Sequence, residues 1–445
     1  MPKLFKSLAV LLALPLVLAG CKIDSINYFP PKPAHVRVVN VLGTTTPINV
    51  AANGVTLWSG LNFEAMTGYV DIENVTTNIS VSLVGSTTPL VQQTIFPTGD
   101  QSSTLVIYGT TFSPAVGVMA DPPQAPPSGS FTLNVFNVAP VGNGTAVGTS
   151  PIDVYFTQPG QAIDGISPTF SYVYFSNANI FRTFSAGQYQ LRLTVAGTKI
   201  LIYDSGPLTF QDKTSTDLVI YSRGSEILAN VLLNESDGAG QQVIANSRLS
   251  RLKVVNGAFQ SGSVNQLLDG TTKVSDLKFE EASLYQIVQS VPGTVTFEAS
   301  AAPGAPIASL AYTFVAAADQ SIFVAGFAGA TSAVALIDNN LPPAIASAAV
   351  RFVNTSPNSG PLDVFANDVL QAKAVGTNAA SAYVQLASSG STAYTFTFKD
   401  STTGVTVLTL SNVPLTPLLT YSVYVFGQAG LLSGRTTPDT PKPPT

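Results

Sequence analysis

The chain has 445 residues, of which 45% are hydrophobic and only 10% charged, with 20 Lys and Arg against 25 Asp and Glu. That length predicts several domains rather than one core. A formal net charge of −5, with no Lys/Arg cluster beyond the extreme N-terminus, argues against nucleic acid as a partner. One cysteine, Cys21, and one histidine, His35, exclude an internal disulfide and a Cys-rich metal site and leave little room for His-centred catalysis.

Taken in chain order, Lys3 and Lys6 precede an apolar run from Leu8 to Leu18 that closes on Ala19, Gly20 and Cys21. A positive start, an apolar stretch too short to span a bilayer and small residues before a cleavage point predict a signal peptide over 1–20. The Leu-Ala-Gly-Cys ending resembles the bacterial lipobox, which implies a lipid on Cys21 and anchoring to the cell envelope. Lys22 stands where an Asp would imply inner-membrane retention, so the same resemblance implies the outer membrane. Residues 21–34, with Pro30, Pro31 and Pro33, read as an extended tether.

A pattern then occurs four times. An apolar strand ends in Asn at Asn40, Asn137, Asn256 and Asn354. A second apolar run follows, carrying Asn49, Asp153, Asn265 or Asp363. A period near 100 residues marks whole domains in series. Later strands alternate with period two, as in Ile79, Val81, Leu83 and Tyr394, Phe396, Phe398. Seven short strands per repeat predict an all-β chain, a tandem array of four immunoglobulin-like antiparallel β-sandwich domains over 35–121, 130–233, 249–338 and 349–434. The uncharged stretch 320–337 is broken by Gly326 and Gly329 and so reads as two strands and a turn. Linkers between the domains are rich in Pro, Asn or Gly, and Pro-Pro pairs at Pro122 and Pro342 predict semi-rigid spacers. Residues 435–445 read as a Pro/Thr-rich tail.

Over Arg351 to Phe398 the order Val-Arg-Phe-Val-Asn, Ser-Pro, Pro-Leu-Asp-Val-Phe and a Tyr-led alternating strand resembles the bacterial family catalogued as domain of unknown function 4397. The resemblance is best in repeat four, next in repeat two through Pro151 to Val154, and implies a secreted or lipid-anchored surface protein. It brings no activity, no cofactor and no catalytic residue.

The repeated Asn and Asp positions suit turn starts and caps, because their side chains bond the local backbone. Calcium at the linkers would have to use Asp121, Asp237 or Asp338 with Asn339 and Asn340, which form no dense acidic loop. Repeat two carries an insertion rich in aromatics, Phe170, Tyr172, Tyr174, Phe175 and Phe181, of which the first four are the candidate ligand contact. Exposed rings there would grip a glycan or a protein surface, whereas alternation of Phe170, Tyr172 and Tyr174 equally fits one more hairpin strand. Trp58 is expected to cover the end of the first core. The expected function is structural or adhesive, without an enzyme's site, with carbohydrate binding through the aromatic stretch as the alternative.

Overall fold

The structure is a computed structural model that describes residues 32–121, 125–140, 151–223, 228–235, 242–389 and 392–439. Cys21, Lys22, the signal peptide and Asp237 lie outside the described residues.

Domain 1 holds β1 Ala34–Asn40, β2 Ile48–Ala52, β3 Val55–Leu61, β4 Val70–Ile72, β5 Thr77–Leu83, β6 Val91–Ile95, β7 Ser102–Gly109 and β8 Pro114–Ala120. They form two sheets, β4-β1-β7-β8 and β3-β2-β5-β6. Alternate residues of β5 turn Ile79 and Val81 into the space between them, against Val36, Val38 and Leu105. Every pairing is antiparallel except β1 with β7, which run parallel with Arg37 beside Thr104 and Asn40 beside Ile107. A parallel neighbour requires a crossover connection, and here the intervening strands of the second sheet supply it.

The plan recurs. Domain 2 comprises β9 Ser130–Asn137, β10 Ile152–Thr157, β11 Phe170–Val173, β12 Asn177–Ser185, β13 Gly187–Val195, β14 Leu201–Phe210, β15 Ser215–Tyr221, β16 Asn230–Glu235 and β17 Gln242–Ala245. Its sheets are β12-β9-β15-β16-β17 and β11-β10-β13-β14. Domain 3 comprises β18 Leu249–Phe259, β19 Val264–Leu268, β20 Thr271–Leu277, β21 Gln286–Gln289, β22 Pro292–Ala299, β23 Pro306–Thr313, β24 Asp319–Phe327 and β25 Ala330–Asp338. Domain 4 comprises β26 Ser347–Asn354, β27 Leu362–Ala366, β28 Val369–Val375, β29 Ala379–Ala380, β30 Val384–Ala387, β31 Ala393–Asp400, β32 Thr406–Pro414, β33 Thr420–Gln428 and β34 Leu431–Pro438. The parallel pair is β9·β15, β18·β24 and β26·β33 in turn.

The array of four all-β sandwiches is as expected, and the uncharged stretch 320–337 is the β24–β25 hairpin. Three details differ. Each repeat has a strand beyond the seven expected, the partner of its second strand, β3, β11, β20 or β28, and domain 4 adds the two-residue β29. Exposed or half-buried faces on β3, β20 and β28 weaken the apolar alternation that would reveal them. The linker after domain 2 contributes β17, and β34 runs to Pro438, so the expected tail begins as a paired strand.

The largest departure concerns the linkers. The domains are not spaced apart. Domains 1 and 2 face one another through their parallel-pair sheets and share a dry cluster: Val39, Val106, Tyr108 and Met119 from one side, Phe136, Val219, Tyr221 and Leu232 from the other. Domains 3 and 4 do the same through Val255, Phe323, Val353, Tyr424 and Phe426. The strands β1, β9, β18 and β26 are therefore covered on both faces, which explains their nearly continuous burial. Leu201, Leu228 and Leu249 join domain 2 to domain 3, and Gln385 of domain 4 donates to Thr45 of domain 1 at 3.2 Å.

Candidate functional site

Each of the two repeated polar positions has a definite task. Asn49, Asp153, Asn265 and Asp363 sit on β2, β10, β19 and β27, where the register against the neighbouring strand slips at a bulge. At each bulge one residue takes a left-handed backbone: Gly60, Tyr172, Asp276 and Ala374, with φ of 69°, 51°, 51° and 51°. Its N–H donates to the Oδ1 of the repeated residue at 3.0, 2.8, 2.9 and 2.8 Å. The position is thus a clamp on a bulge of the neighbouring strand, where a cap on the preceding turn was expected.

The strand-ending asparagines tie the two sheets of a domain together. Asn40, Asn137, Asn256 and Asn354 are buried, and each Oδ1 accepts the N–H two residues on at 3.1 Å. Each Nδ2 donates to a carbonyl at the end of the facing sheet's extra strand, at Leu61, Val173, Leu277 or Val375. Their backbone carbonyls accept the N–H of Glu64, Ser176, Glu280 and Asn378, all with positive φ. Those four side chains reach across to the opposed domain. Glu64 takes Tyr221 and Arg223, Ser176 bonds Tyr108 at 2.7 Å, Glu280 accepts from Ser433, and Asn378 donates to Ser332 at 3.3 Å.

Between these clasps lie buried charges, which sequence reasoning missed. The residue three before each strand-ending Asn is Arg37, Asn134, Lys253 or Arg351. A charged residue alternating with valines reads as a solvent-facing position, yet each of these is buried. In the 3/4 interface the bridges are reciprocal: Lys253 of domain 3 pairs with Asp439 of domain 4, and Arg351 of domain 4 pairs with Asp338 of domain 3. Arg251 pairs with Asp319, which also accepts from Asn340. Tyr285 and Ser321 donate to Asp338, while Tyr383 and Ser422 donate to Asp439. The Lys253 ammonium lies 5.0 Å from the Tyr285 ring centre and the Arg351 guanidinium 5.0 Å from that of Tyr383, so aromatic faces replace some lost hydration. Burial would raise Asp439, but Lys253 and Arg351 outweigh it and hold its carboxyl below the usual range. Burial likewise opposes the charge on Lys253, and Asp439 wins, leaving the ammonium above its ordinary value.

In the 1/2 interface Arg37 donates to Thr104 at 2.8 Å, to the carbonyls of Glu235 and Asn234 at 2.7 and 3.2 Å, and to Asp217 at 3.2 Å. Asn134 donates to Asp217 at 3.1 Å, and Tyr69 to Asp121 at 2.9 Å. Asp121 and Asp338, named for calcium, are instead engaged by tyrosine and arginine, and among the described residues no group of three or more His, Cys, Asp or Glu is placed to hold a metal ion.

The aromatic stretch of repeat two divides. Phe170 is 8% exposed and packs in the domain 2 core. Phe175 packs edge-on against Tyr108 in the 1/2 interface, with ring centres 5.8 Å apart. Both leave the candidate ligand set because their faces are covered. Tyr172 and Tyr174 remain, 52% and 59% exposed. The stretch is no insertion, since β11 pairs with β10 as β3 pairs with β2. Tyr172 is the bulge residue, so its side chain leaves the alternation that would have buried it. Phe96 and Phe112 of domain 1, passed over in the sequence, are more exposed still, at 78% and 79%. Trp58 is half-buried against the domain 1 core, on β3.

The model of the family described as domain of unknown function DUF4397 matches residues 34–144, 250–365 and 348–445. The chain belongs to that family. Most of domain 2 lies between the matched segments, and domain 2 is also where the buried cation is replaced by Asn134. Among curated proteins none matches the chain. Solved structures that match the chain include a candidate cell adhesion protein from Bacteroides uniformis, 11% identical, covering 48% of this chain and 99% of that one with a TM-score of 0.21. A carbohydrate-binding module of family CBM26 from Eubacterium rectale Amy13K, in complex with maltoheptaose, is 12% identical over 48% of this chain and 98% of its own, with a TM-score of 0.16.

Proposed function

We propose that the protein is an exported, non-enzymatic binding protein of the cell envelope, of structural or adhesive type. Lipid on Cys21 holds it to the membrane, the outer one by the residue that follows, and its partners are surface proteins or glycans. The observation that supports this most is how the chain uses its scarce charges. Most of the buried ones, Arg37, Asp217, Arg251, Lys253, Asp319, Asp338, Arg351 and Asp439, bond one another or their neighbours in the interface networks, while Asp153 and Glu298 serve within their own domains. Buried ionisable groups can mark a catalytic cleft, but these ones brace domains. The result is a stiff body whose outer sheets are left for contact. Fractionation of cells expressing the Cys21→Ala protein tests the anchor. The variant is expected in the soluble envelope fraction, and retention in the membrane would overturn the reading.

Carbohydrate binding is favoured by a specific observation, the exposure of both Tyr172 and Tyr174, on either side of the buried Val173. A glycan array probed with the Cys21→Ala chain and with the same chain carrying Tyr172→Ala and Tyr174→Ala separates the two readings. Signal lost in the double variant supports the sugar reading, and signal unchanged or absent throughout removes it.

A further inference from the structure

The two interfaces share one plan and differ in charge balance. Between domains 3 and 4 three cations, Arg251, Lys253 and Arg351, meet three carboxylates, Asp319, Asp338 and Asp439. Between domains 1 and 2, apart from the Glu64–Arg223 clasp at the rim, one buried cation among the described residues, Arg37, meets two carboxylates, Asp217 and Asp121. The second cation is missing because the position of Lys253 and Arg351 is Asn134 in domain 2. Its amide donates to Asp217 at 3.1 Å and to the carbonyl of Ala120 at 3.4 Å, but brings no charge.

Asp121 closes domain 1 as Asp338 and Asp439 close domains 3 and 4. One of its oxygens accepts from Tyr69, and the other, Oδ1, is buried without a hydrogen bond among the described residues. The groups that face the pair come from both domains. Tyr69 lies between Asp121 and Arg37, whose guanidinium is 4.5 Å from its ring centre. Thr104 on β7 donates to Asp217 at 2.6 Å, Asn134 approaches from β9, and the buried side chain of Asn234 on β16 has no hydrogen-bond partner among the described residues. Glu235 offers its backbone carbonyl to Arg37. The buried carboxylate of Asp217 and the half-buried one of Asp121 face one buried guanidinium, which leaves one negative charge unmatched, and the cheapest remedy is a proton.

We propose that the interface between domains 1 and 2 is a proton-responsive joint, tighter when the Asp121 and Asp217 pair holds one proton and looser when both are ionised. The electrostatics agree. Burial first, then the charge of Asp217, pushes Asp121 up to about 6, and burial raises Asp217 as well despite Arg37. A carboxyl whose pKa is raised on folding stabilises the folded form in acid, and that advantage is lost as pH climbs from the ordinary value of 3.8 through about 6. In the 3/4 interface Asp439 shifts downward, so its contribution runs the opposite way.

Trp58 is the single tryptophan of the chain and packs on the core of domain 1, so its fluorescence reports the unfolding of that domain. Urea unfolding of the full chain is followed near pH 5 and near pH 7.5, alongside Asp121→Asn, which keeps the shape without the charge, and Asn134→Lys, which restores the missing cation. The unfolding constant of domain 1 in the unaltered chain is expected to rise about ten-fold more between the two pH values than in Asp121→Asn, as a shift from 3.8 to about 6 requires. Asn134→Lys is expected to lose the same increment. Retention of the increment in either variant, or its absence from the unaltered chain, overturns the proposal. If Asn134→Lys does not fold, the comparison with Asp121→Asn decides.

Discussion

Replacing Arg351 by Met tests whether the reciprocal bridges hold domains 3 and 4 together. The Arg351 side chain is 3% exposed and its partner Asp338 is fully buried. Its guanidinium also donates to Ser422 at 2.6 Å and to the carbonyl of Ile337 at 3.1 Å. Methionine fills much of the volume but leaves Asp338 without a cation. Breaking a buried pair on one side costs about 3–5 kcal/mol. Tyr285 and Ser321 still donate to Asp338, which places the loss toward the lower end, about 3 kcal/mol. At about 1.4 kcal/mol per decade that is roughly a hundred-fold. Amide hydrogen exchange of peptides from β24 and β33 reads it directly: both are expected to exchange about a hundred-fold faster, while β7 of domain 1 is unchanged. Adding Asp338→Leu should recover most of the loss, because an apolar pair replaces an orphaned charge. An increase below about five-fold in β24 and β33, or an equal increase in β7, would refute the reasoning.

Gly117 on β8 has the Phe136 ring of domain 2 within 2.3 Å of where a Cβ would stand, so Gly117→Ala should act as a wedge, costing about 1–3 kcal/mol and raising exchange in β7 and β15 together. Asp153 accepts from the N–H of Tyr172 and of Gly197, both at 2.8 Å, and Asp153→Ala should destabilise domain 2 by about 2–4 kcal/mol, read as faster exchange in β11 and β13. Asp439 contributes stability above the ordinary carboxylate range and loses it as pH falls through that range, so the destabilisation caused by Asp439→Asn should shrink on going from neutral pH to about pH 3 in calorimetric unfolding.

The repeat count, the strand faces and the class of fold were legible because period-two alternation survives in strands with one wet face, such as β5 and β31. The extra strand of each repeat was not, because β3, β20 and β28 are sheet edges with little buried apolar surface to mark them. Domain pairing was hidden for a different reason. Valine, arginine, valine on a strand describes a half-wet surface whether water or a second sheet lies above the arginine, and only the distant carboxylates at Asp338 and Asp439 distinguish the two. In the aromatic stretch, alternation could not foresee that the bulge at Tyr172 would turn one ring outward while Phe170 stayed in the core.

A sheet whose outer face is finished only by its counterpart turns the number of repeats into a question of parity. Recombination that deletes or adds one unit strands a surface of the kind formed by Val255, Phe323 and the Lys253 ammonium. A chain with three units must then borrow its fourth from a neighbouring molecule. Lineages built from this module should therefore grow and shrink in steps of two, or become oligomers when they do not.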